Sequence, residues 1–309
     1  MKVYYFLGKT KQIPRGTVAS IGIFDGLHKG HLHLIKALVK RAKSIKRKSL
    51  ILTFYPHPSK ILNRKKFTPL LISLKHRLNL LEALGVDLAI VIKFNKRFAG
   101  IKPRDFITDV LCRRLGVKEV LIGDNFNFGY HKSGNIGLLK RLSGEYGFSV
   151  RVVRLHKKDK RIVSSTHIRS LIMKGRLKEA SRLLGRPVSI LGTVKGGARI
   201  GRALGYPTAN IDPHHEAIPP SGVYAVYVNL DDRRYKGILN IGFKPTFQRK
   251  CYPPEPTIEV HIFNFKKDIY GRDLEIFFVK RLRPEKRFKD RENLIKRIRL
   301  DEKAAAKVL

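Results

Sequence analysis

A chain of 309 residues, 43% of them apolar, is long enough for two domains of ordinary size and apolar enough to give each a core. Its 65 Lys and Arg against 24 Asp and Glu give a formal charge of +41, spread over KRAKSIKRK (Lys40 to Lys48), NRKK (Asn63 to Lys66), HKKDKR (His156 to Arg161) and KRIR (Lys296 to Arg299); without a recognition motif this argues against specific nucleic-acid reading and for salt-sensitive, sequence-blind attraction to polyanions. The chain has no run of about 18 apolar residues, the apolar core of MKVYYFLGKTKQ is too short for a secretory signal, and Cys112 and Cys251 lack metal or redox spacing, so no membrane partner is expected, the location is cytoplasmic and both cysteines are reduced and structural.

The first strand expected is Val18 to Phe24, in the β-branched stretch TVASIGIF, followed by a helix near His31 to Ser44. Strands at Ser49 to Phe54, Leu88 to Phe94, Glu119 to Gly123 and Ser149 to Leu155 then alternate with helices near Leu74 to Leu84, Pro103 to Leu115 and Ile136 to Tyr146. Two short helices, Ser165 to Lys174 and Leu177 to Leu184, close the domain. This alternation predicts an α/β domain with a parallel sheet over residues 1–184. After LLGRP (Leu183 to Pro187) glycine and proline become frequent, and VSILGTVKGG, GVYAVYVNL, YKGILNIG, TIEVHIF and LEIFFVKRL read as antiparallel strands. They predict a small Greek-key β-barrel over residues 185–309, with a C-terminal helix in Asp290 to Leu309.

The segment GIFDGLHKGH, Gly22 to His31, sits where a strand hands over to a helix. Free N–H groups and the positive dipole end favour an anion at a helix start. His28 and His31, at i and i+3, share a face and can donate to a phosphate whose charge grows during transfer, while Gly22, Phe24, Gly26 and Gly30 form the turn around it. A solvated histidine pair or part of a zinc site is the alternative, and no third ligand stands at zinc spacing. TFYPHP places Pro56, His57 and Pro58 in a rigid loop at the same sheet edge, and GDNFNFG places Asn125, Phe126 and Phe128 after the fourth predicted strand. Those rings line a pocket for a flat ring system or fill the core.

VSSTHIR sets Ser164, Ser165 and Thr166 before a helix with Arg169 in its first turns, either an N-cap or a clamp for a leaving pyrophosphate. The stretch GTVKGGARIGRALGYPTANI, Gly192 to Ile211, strings five glycines and two arginines ahead of Thr208 and Asn210. It lacks a Walker ending; Gly196, Arg199 and Arg202 suit a triphosphate and the oxygens of Thr208 and Asn210 suit Mg2+, or the stretch is a glycine-rich turn without a ligand. In TIEVHIFNF, Glu259 is the only acidic residue of an apolar strand. An inward carboxylate there needs a partner or a task, such as taking a proton from a substrate hydroxyl.

GIFDGLHKGH resembles the signature of nucleotidyltransferases that attack the α-phosphate of a nucleoside triphosphate. Together with TFYPHP, GDNFNFG, VSSTHIR, GRALGYPTANI, PPSGVYAV, NIGFKPTF and the stretch from EVHIFNF through DIYG to Arg283, Glu285 and Phe288, the chain resembles the bacterial bifunctional riboflavin kinase and FAD synthetase (FMN adenylyltransferase) family over nearly its whole length. The resemblance implies a Rossmann-like nucleotidyltransferase domain that makes FAD from FMN and ATP, and a barrel that makes FMN from riboflavin and ATP, each with Mg2+. It implies that His28 and His31 steady the α-phosphate, that Ser164, Ser165, Thr166 and Arg169 hold pyrophosphate, and that Pro56 to Pro58, Asn125, Phe126 and Phe128 border the flavin. In the barrel it implies Mg2+ and phosphate binding by Thr208 and Asn210, an arch from Gly196 to Arg202 over the nucleotide, and Glu259 as base. Asn125, Tyr206 and Asn264 depart from the family's usual aspartate, phenylalanine and aspartate. A basic RNA-binding module on a nucleotide fold is the competing class, and the dispersed charge speaks against it.

Overall fold

The computed structural model describes residues 1–5, 13–62, 69–154, 163–197, 201, 204–214, 217–243, 256–286 and 288–309. Arg199, Arg202, Cys251, the basic runs NRKK and HKKDKR and most of FKPTF lie outside these residues. By internal contacts the chain divides into Met1–Leu70 with Leu74–Ser164, and Leu71–Ser73 with Ser165–Leu309. The change of texture at residues 184/185 falls inside the second unit, which opens on helices Ser165–Met173 and Leu177–Leu184.

In the first unit β1 (Lys2–Tyr5), β2 (Val18–Ile21), β3 (Ser49–Tyr55), β4 (Leu88–Lys93), β5 (Glu119–Gly123) and β6 (Ser149–Val153) form a parallel sheet in the order β1-β4-β3-β2-β5-β6. The central strands β2, β3 and β4 are nearly unbroken runs of buried residues, as expected where helices flank a parallel sheet. Helix Lys29–Ser44 buries Leu34, Ile35, Leu38, Val39 and Ala42, one stripe of its surface. The strand expected to run to Phe24 ends at Ile21, because Phe24, Gly26 and Leu27 have φ of 53°, 80° and 43°, a left-handed turn that no strand accommodates. The helix expected over Pro103 to Leu115 starts as Pro103–Asp105 and continues as a π-helix, Phe106–Arg114. Its buried Phe106, Ile107, Val110 and Leu111 fit either winding, so the apolar spacing carries no signal for the wider coil.

The second unit contains β7 (Ser189–Lys195), β8 (Ala209–Asp212), β9 (Gly222–Leu230), β10 (Arg233–Phe243), β11 (Pro256–Ile262) and β12 (Asp273–Arg283), closed in the order β10-β11-β8-β7-β12-β9. Strands β9, β10 and β11 follow one another and β12 returns beside β9, which is the Greek-key arrangement. Helix Arg291–Ala306 is capped by Asp290, whose Oδ1 accepts from the Asn293 N–H at 2.8 Å. Its Ala305 packs with Val223, Ala225 and Ile238, and its buried Asp301 pairs with Arg283 Nη2 at 2.7 Å. The barrel closes all edges of its strands, and the helix covers part of its outer surface.

Candidate active sites

Three of the predicted segments leave the carboxyl ends of adjacent strands. TFYPHP follows β3, the Gly22–His28 turn follows β2 and GDNFNFG follows β5. From β2 the chain crosses to β3 on one side, whereas β5 on the other side leads away to β6. Beyond the ends of β2 and β5 the sheet therefore has its topological switch point, where open α/β sheets hold their ligands.

At that point His28 is the N-cap of helix Lys29–Ser44 and has extended backbone dihedrals, with no acidic residue in the first helical turn. The His28 and His31 rings stack, centroids 3.8 Å apart and planes at 18°, and the Phe24 ring meets His31 edge-on at 5.3 Å. Nδ1 of each imidazole is enclosed with no hydrogen-bond partner among the described residues. Burial pushes the His28 imidazole down to about 4; burial, then the charges of His28 and Arg77, put His31 well below its usual range. Both rings are therefore neutral at pH 7, each with one N–H to give. Gly26 and Gly30 fall in the turn and first helical turn as expected, but the Gly22 N–H donates to Leu52 O at 3.0 Å and so serves the sheet rather than a phosphate.

This burial has a cost in acid. As pH falls below the ordinary imidazole value of 6.5, the unfolded chain takes up a proton that folded His28 resists until about 4, so stability is lost across that window. The loss amounts to about 3 kcal/mol from His28 alone. Urea unfolding of the protein at pH 7 and pH 4.5 will show a drop in midpoint, and His28→Gln, which cannot titrate, will show a smaller one.

Sequence reasoning missed Arg77. It is 1% exposed on helix Leu74–Ala83, and its Nη1 donates to Thr53 Oγ1 at 2.9 Å, while Thr53 Oγ1 donates to Ile23 O at 3.1 Å. The guanidinium thus ties the β3 end to the β2 turn and acts electrostatically on both buried Asp25 and His31. Burial lowers its pKa, opposed by the charge of Asp25. Its signal was an arginine on the apolar face that Leu74, Leu78 and Leu81 mark. Arg77→Met removes the charge opposite a buried carboxylate and is expected to cost about 3 kcal/mol, measured by denaturant unfolding.

The other residues predicted for this site are more mixed, and Ser165, Thr166 and Arg169 among them fall in the second unit. His57 Nδ1 accepts from the Ser59 N–H at 3.1 Å, and Pro56, His57 and Pro58 are half-buried after a cis Tyr55–Pro56 peptide. Phe128 is 8% exposed and belongs to the hydrophobic core against Phe106, while half-buried Phe126 stacks on it with centroids 5.4 Å apart. Asn125 is exposed. Ser164 is half-buried, Ser165 begins helix Ser165–Met173, Thr166 is exposed and Arg169 is buried on that helix with Ile168 and Ile172. A groove of about 730 Å³ is lined by Arg41, Lys140, Arg151 and Arg154 among others and holds none of the predicted residues; there Arg41 and Arg151 both pair with buried Glu119, at 2.7 and 3.1 Å.

In the barrel, Ile258, Val260 and Ile262 of β11 are buried and Thr257, Glu259 and His261 alternate with them. Glu259 is therefore not inward as expected; the two-residue period puts it on the outer surface of the barrel. There it lies in register with Asn210 of β8 on one side and Asn240 of β10 on the other, and Asn210 is in register with Lys195 of β7. Asn240 and Lys195 were not anticipated, though each is a polar residue in a run whose alternate members face the core. A Cβ on Gly197 would come within 2.0 Å of Asn210 Nδ2, so that backbone crosses directly over the amide, and one on Gly201 would come within 3.0 Å of Thr208 Oγ1. Gly196, just before, is exposed. Thr208 also lines a cavity of about 420 Å³ with Pro207, Val194, Val260, Ile262 and the segment from Phe265 to Tyr270. The cavity and the polar row thus meet at Thr208 and Ala209, an arrangement suited to an apolar ring with its charged tail led out over Asn210 toward Glu259.

A family model described as FAD synthetase matches residues 10–167, and one described as riboflavin kinase matches residues 184–309. Proteins named bifunctional riboflavin kinase/FMN adenylyltransferase are similar along almost the whole chain. The one from Buchnera aphidicola subsp. Schizaphis graminum is 36% identical over 97% of this chain and 96% of its own length. Those from Bacillus subtilis and Escherichia coli K12 are 37% and 33% identical, over 94% and 99% of this chain and 91% and 97% of their own. A solved structure called "Crystal Structure of Macrolide-efflux Protein from Streptococcus pneumoniae" superimposes with a TM-score of 0.81 at 28% identity and covers 99% of each chain. Among the described residues of this chain, no helix is long and apolar enough to cross a membrane.

Proposed function

We propose that the chain, which belongs to the family of bifunctional riboflavin kinases and FMN adenylyltransferases, runs its two reactions at two separate arrays, one drawn from the segments between Gly22 and Arg169 and the other from those between Gly196 and Glu259. The N-terminal FAD synthetase part makes FAD from FMN and ATP, and the C-terminal riboflavin kinase part makes FMN from riboflavin and ATP. What supports the assignment of residues is foremost the stacked His28–His31 pair at a helix N-terminus beyond the switch point of the sheet.

In adenylyl transfer a phosphate oxygen of FMN attacks the α-phosphorus of ATP and the bond to pyrophosphate breaks, with no covalent enzyme intermediate. Negative charge grows on the oxygens around that phosphorus. His28, His31 and the first-turn N–H groups, including that of Gly30, are donors set in place before the charge develops, so little reorganisation opposes the step. Kept neutral by burial, the imidazoles do not repel an approaching cation, and a bound triphosphate favours their protonation. Phe24 and Gly26 shape the turn. The exposed face of Phe126, with Phe128 behind it, and the loop Pro56 to Pro58 with Asn125 border the flavin. Ser164, Ser165, Thr166 and Arg169 are assigned to the departing pyrophosphate from hydroxyl and guanidinium chemistry alone.

In the kinase half the nucleotide base occupies the cavity beside Thr208, and the phosphates pass over Thr208 and Asn210. Mg2+ fits these residues: two uncharged side-chain oxygens stand beneath close glycine backbone, and among the described residues no cluster of His, Cys, Asp or Glu competes to bind the metal by itself. Such a cation is carried mainly by substrate phosphates, with one or two protein oxygens, and it neutralises phosphate charge when bound. Glu259 accepts the proton of the ribityl hydroxyl as its oxygen attacks the γ-phosphorus, and the bond from that phosphorus to the bridging oxygen of ADP breaks. Gly196 begins the stretch that covers the phosphates, and Arg199 and Arg202 are assigned to it from charge alone. The boundary between the catalytic domains is placed at 184/185, where the strands' composition begins. Separating the flavins formed from riboflavin, ATP and Mg2+ tests the whole reading: FMN and FAD are both expected, and accumulation of neither overturns it.

A further inference from the structure

Two residues beyond Glu259 on the same face of β11, His261 links the segment that carries Thr208 to the C-terminal helix. Its Nδ1–H donates to Pro207 O at 2.8 Å, and its Nε2 lies 3.4 Å from Glu302 Oε1. The side chain is only 12% exposed, and the Tyr206 and Phe263 rings stand 5.5 and 5.9 Å from it, which wedges the imidazole in place. Pro207 has no N–H of its own with which to fix this segment, so its carbonyl is the group by which the peptide leading into Thr208 is held. Tyr206, His261, Arg299, Glu302 and Lys303 also line a cavity of about 610 Å³ between that segment and the helix.

We propose that His261 is a positioning residue of the kinase half: by holding the Pro207 carbonyl it sets Thr208 in place for the phosphates of Mg-ATP, and Glu302 fixes the orientation of the ring. The Pro207 carbonyl can only accept, so Nδ1 carries the hydrogen of that bond, and Glu302 stands beside the ring's other nitrogen. The inference rests on the assignment of Thr208 to the Mg-ATP phosphates. Glu259 does not depend on it, because its register with Asn210 and Asn240 comes from the strand ladder itself.

The two bonds can be separated by side-chain geometry. In His261→Asn the amide nitrogen takes the place of Nδ1 and restores the bond to Pro207, whereas in His261→Gln it takes the place of Nε2 and does not. FMN formation by His261→Gln and His261→Phe is expected to show a KM for Mg-ATP raised about tenfold with kcat within about twofold, and His261→Asn a KM within about threefold of the parent. FAD formation from supplied FMN should be unchanged in all three, which shows that the N-terminal half is folded, and the retained kcat for FMN formation shows the same of the barrel. Equal KM values in His261→Gln and His261→Asn, or a fall in kcat alone, would overturn the proposal. Thr208→Ala separates its failure from that of the underlying reading: a raised KM in Thr208→Ala with none in His261→Gln discards only the role of His261, and an unchanged KM in Thr208→Ala discards both.

Discussion

Replacing His28 and His31 together with alanine will lower FAD formation from FMN and ATP by about 10³-fold or more, while FMN formation from riboflavin keeps its rate. The magnitude follows from what a single preorganised donor to a developing oxyanion contributes, about 10²–10³-fold. His28 is 5% exposed and the rings stack on each other, so each removal also loosens the other ring. The two losses will not add, because residues that act as a unit do not. Loss of the buried imidazoles removes an acid-labile element as well, so the variant should not be less stable than the parent at pH 4.5. A double variant that retains FAD formation within a few-fold would leave the helix N-terminus as the sole phosphate-binding element there.

Glu259→Gln will act on the other half. It keeps size and hydrogen-bonding capacity and removes the proposed base, with an expected fall in kcat for FMN formation of about 10²–10⁴-fold. KM for Mg-ATP should change little, since the proposed nucleotide site is formed by Thr208, Asn210 and the cavity behind them. FAD formation from supplied FMN should be untouched. The outward position of Glu259 makes this a clean substitution: Ile258 and Val260 carry the packing of β11, both 1% exposed, so the core is not disturbed.

The fold was legible where periodicity was strong. Strand β5 and helix Leu177–Leu184 have the bounds that alternation and spacing predict, and the barrel strands β7, β9, β10, β11 and β12 each fall within a residue or two of an apolar run. Strands β1 and β8, each four residues long, carry too little pattern to be found alone; β8 lies in the PTAN segment that was read for its chemistry. The wide winding of Phe106–Arg114 was invisible for a different reason, since its apolar spacing serves both helices.

Of the candidate sites, the residues on one continuous segment were the readable ones. His28 and His31 are brought together by helix geometry that the spacing itself dictates. What the sequence hid was assembled from separate elements. Arg77 reaches the site from a helix more than forty positions on, and Asn240, Asn210 and Lys195 join Glu259 only through strand register. The direction of Glu259 was misread because an acidic residue in an apolar strand was assigned to the core, when the neighbours at 258 and 260 already occupied that side.

If each reaction is completed by its own set of residues, mixing the two disabled proteins will restore the route from riboflavin to FAD. With riboflavin, ATP and Mg2+, the His28→Ala/His31→Ala variant should stop at FMN and Glu259→Gln should make almost no flavin product. Together they should form FAD, because FMN released by the first is adenylylated by the second. Absence of FAD from the mixture, with each protein still performing its remaining reaction alone, would contradict the account.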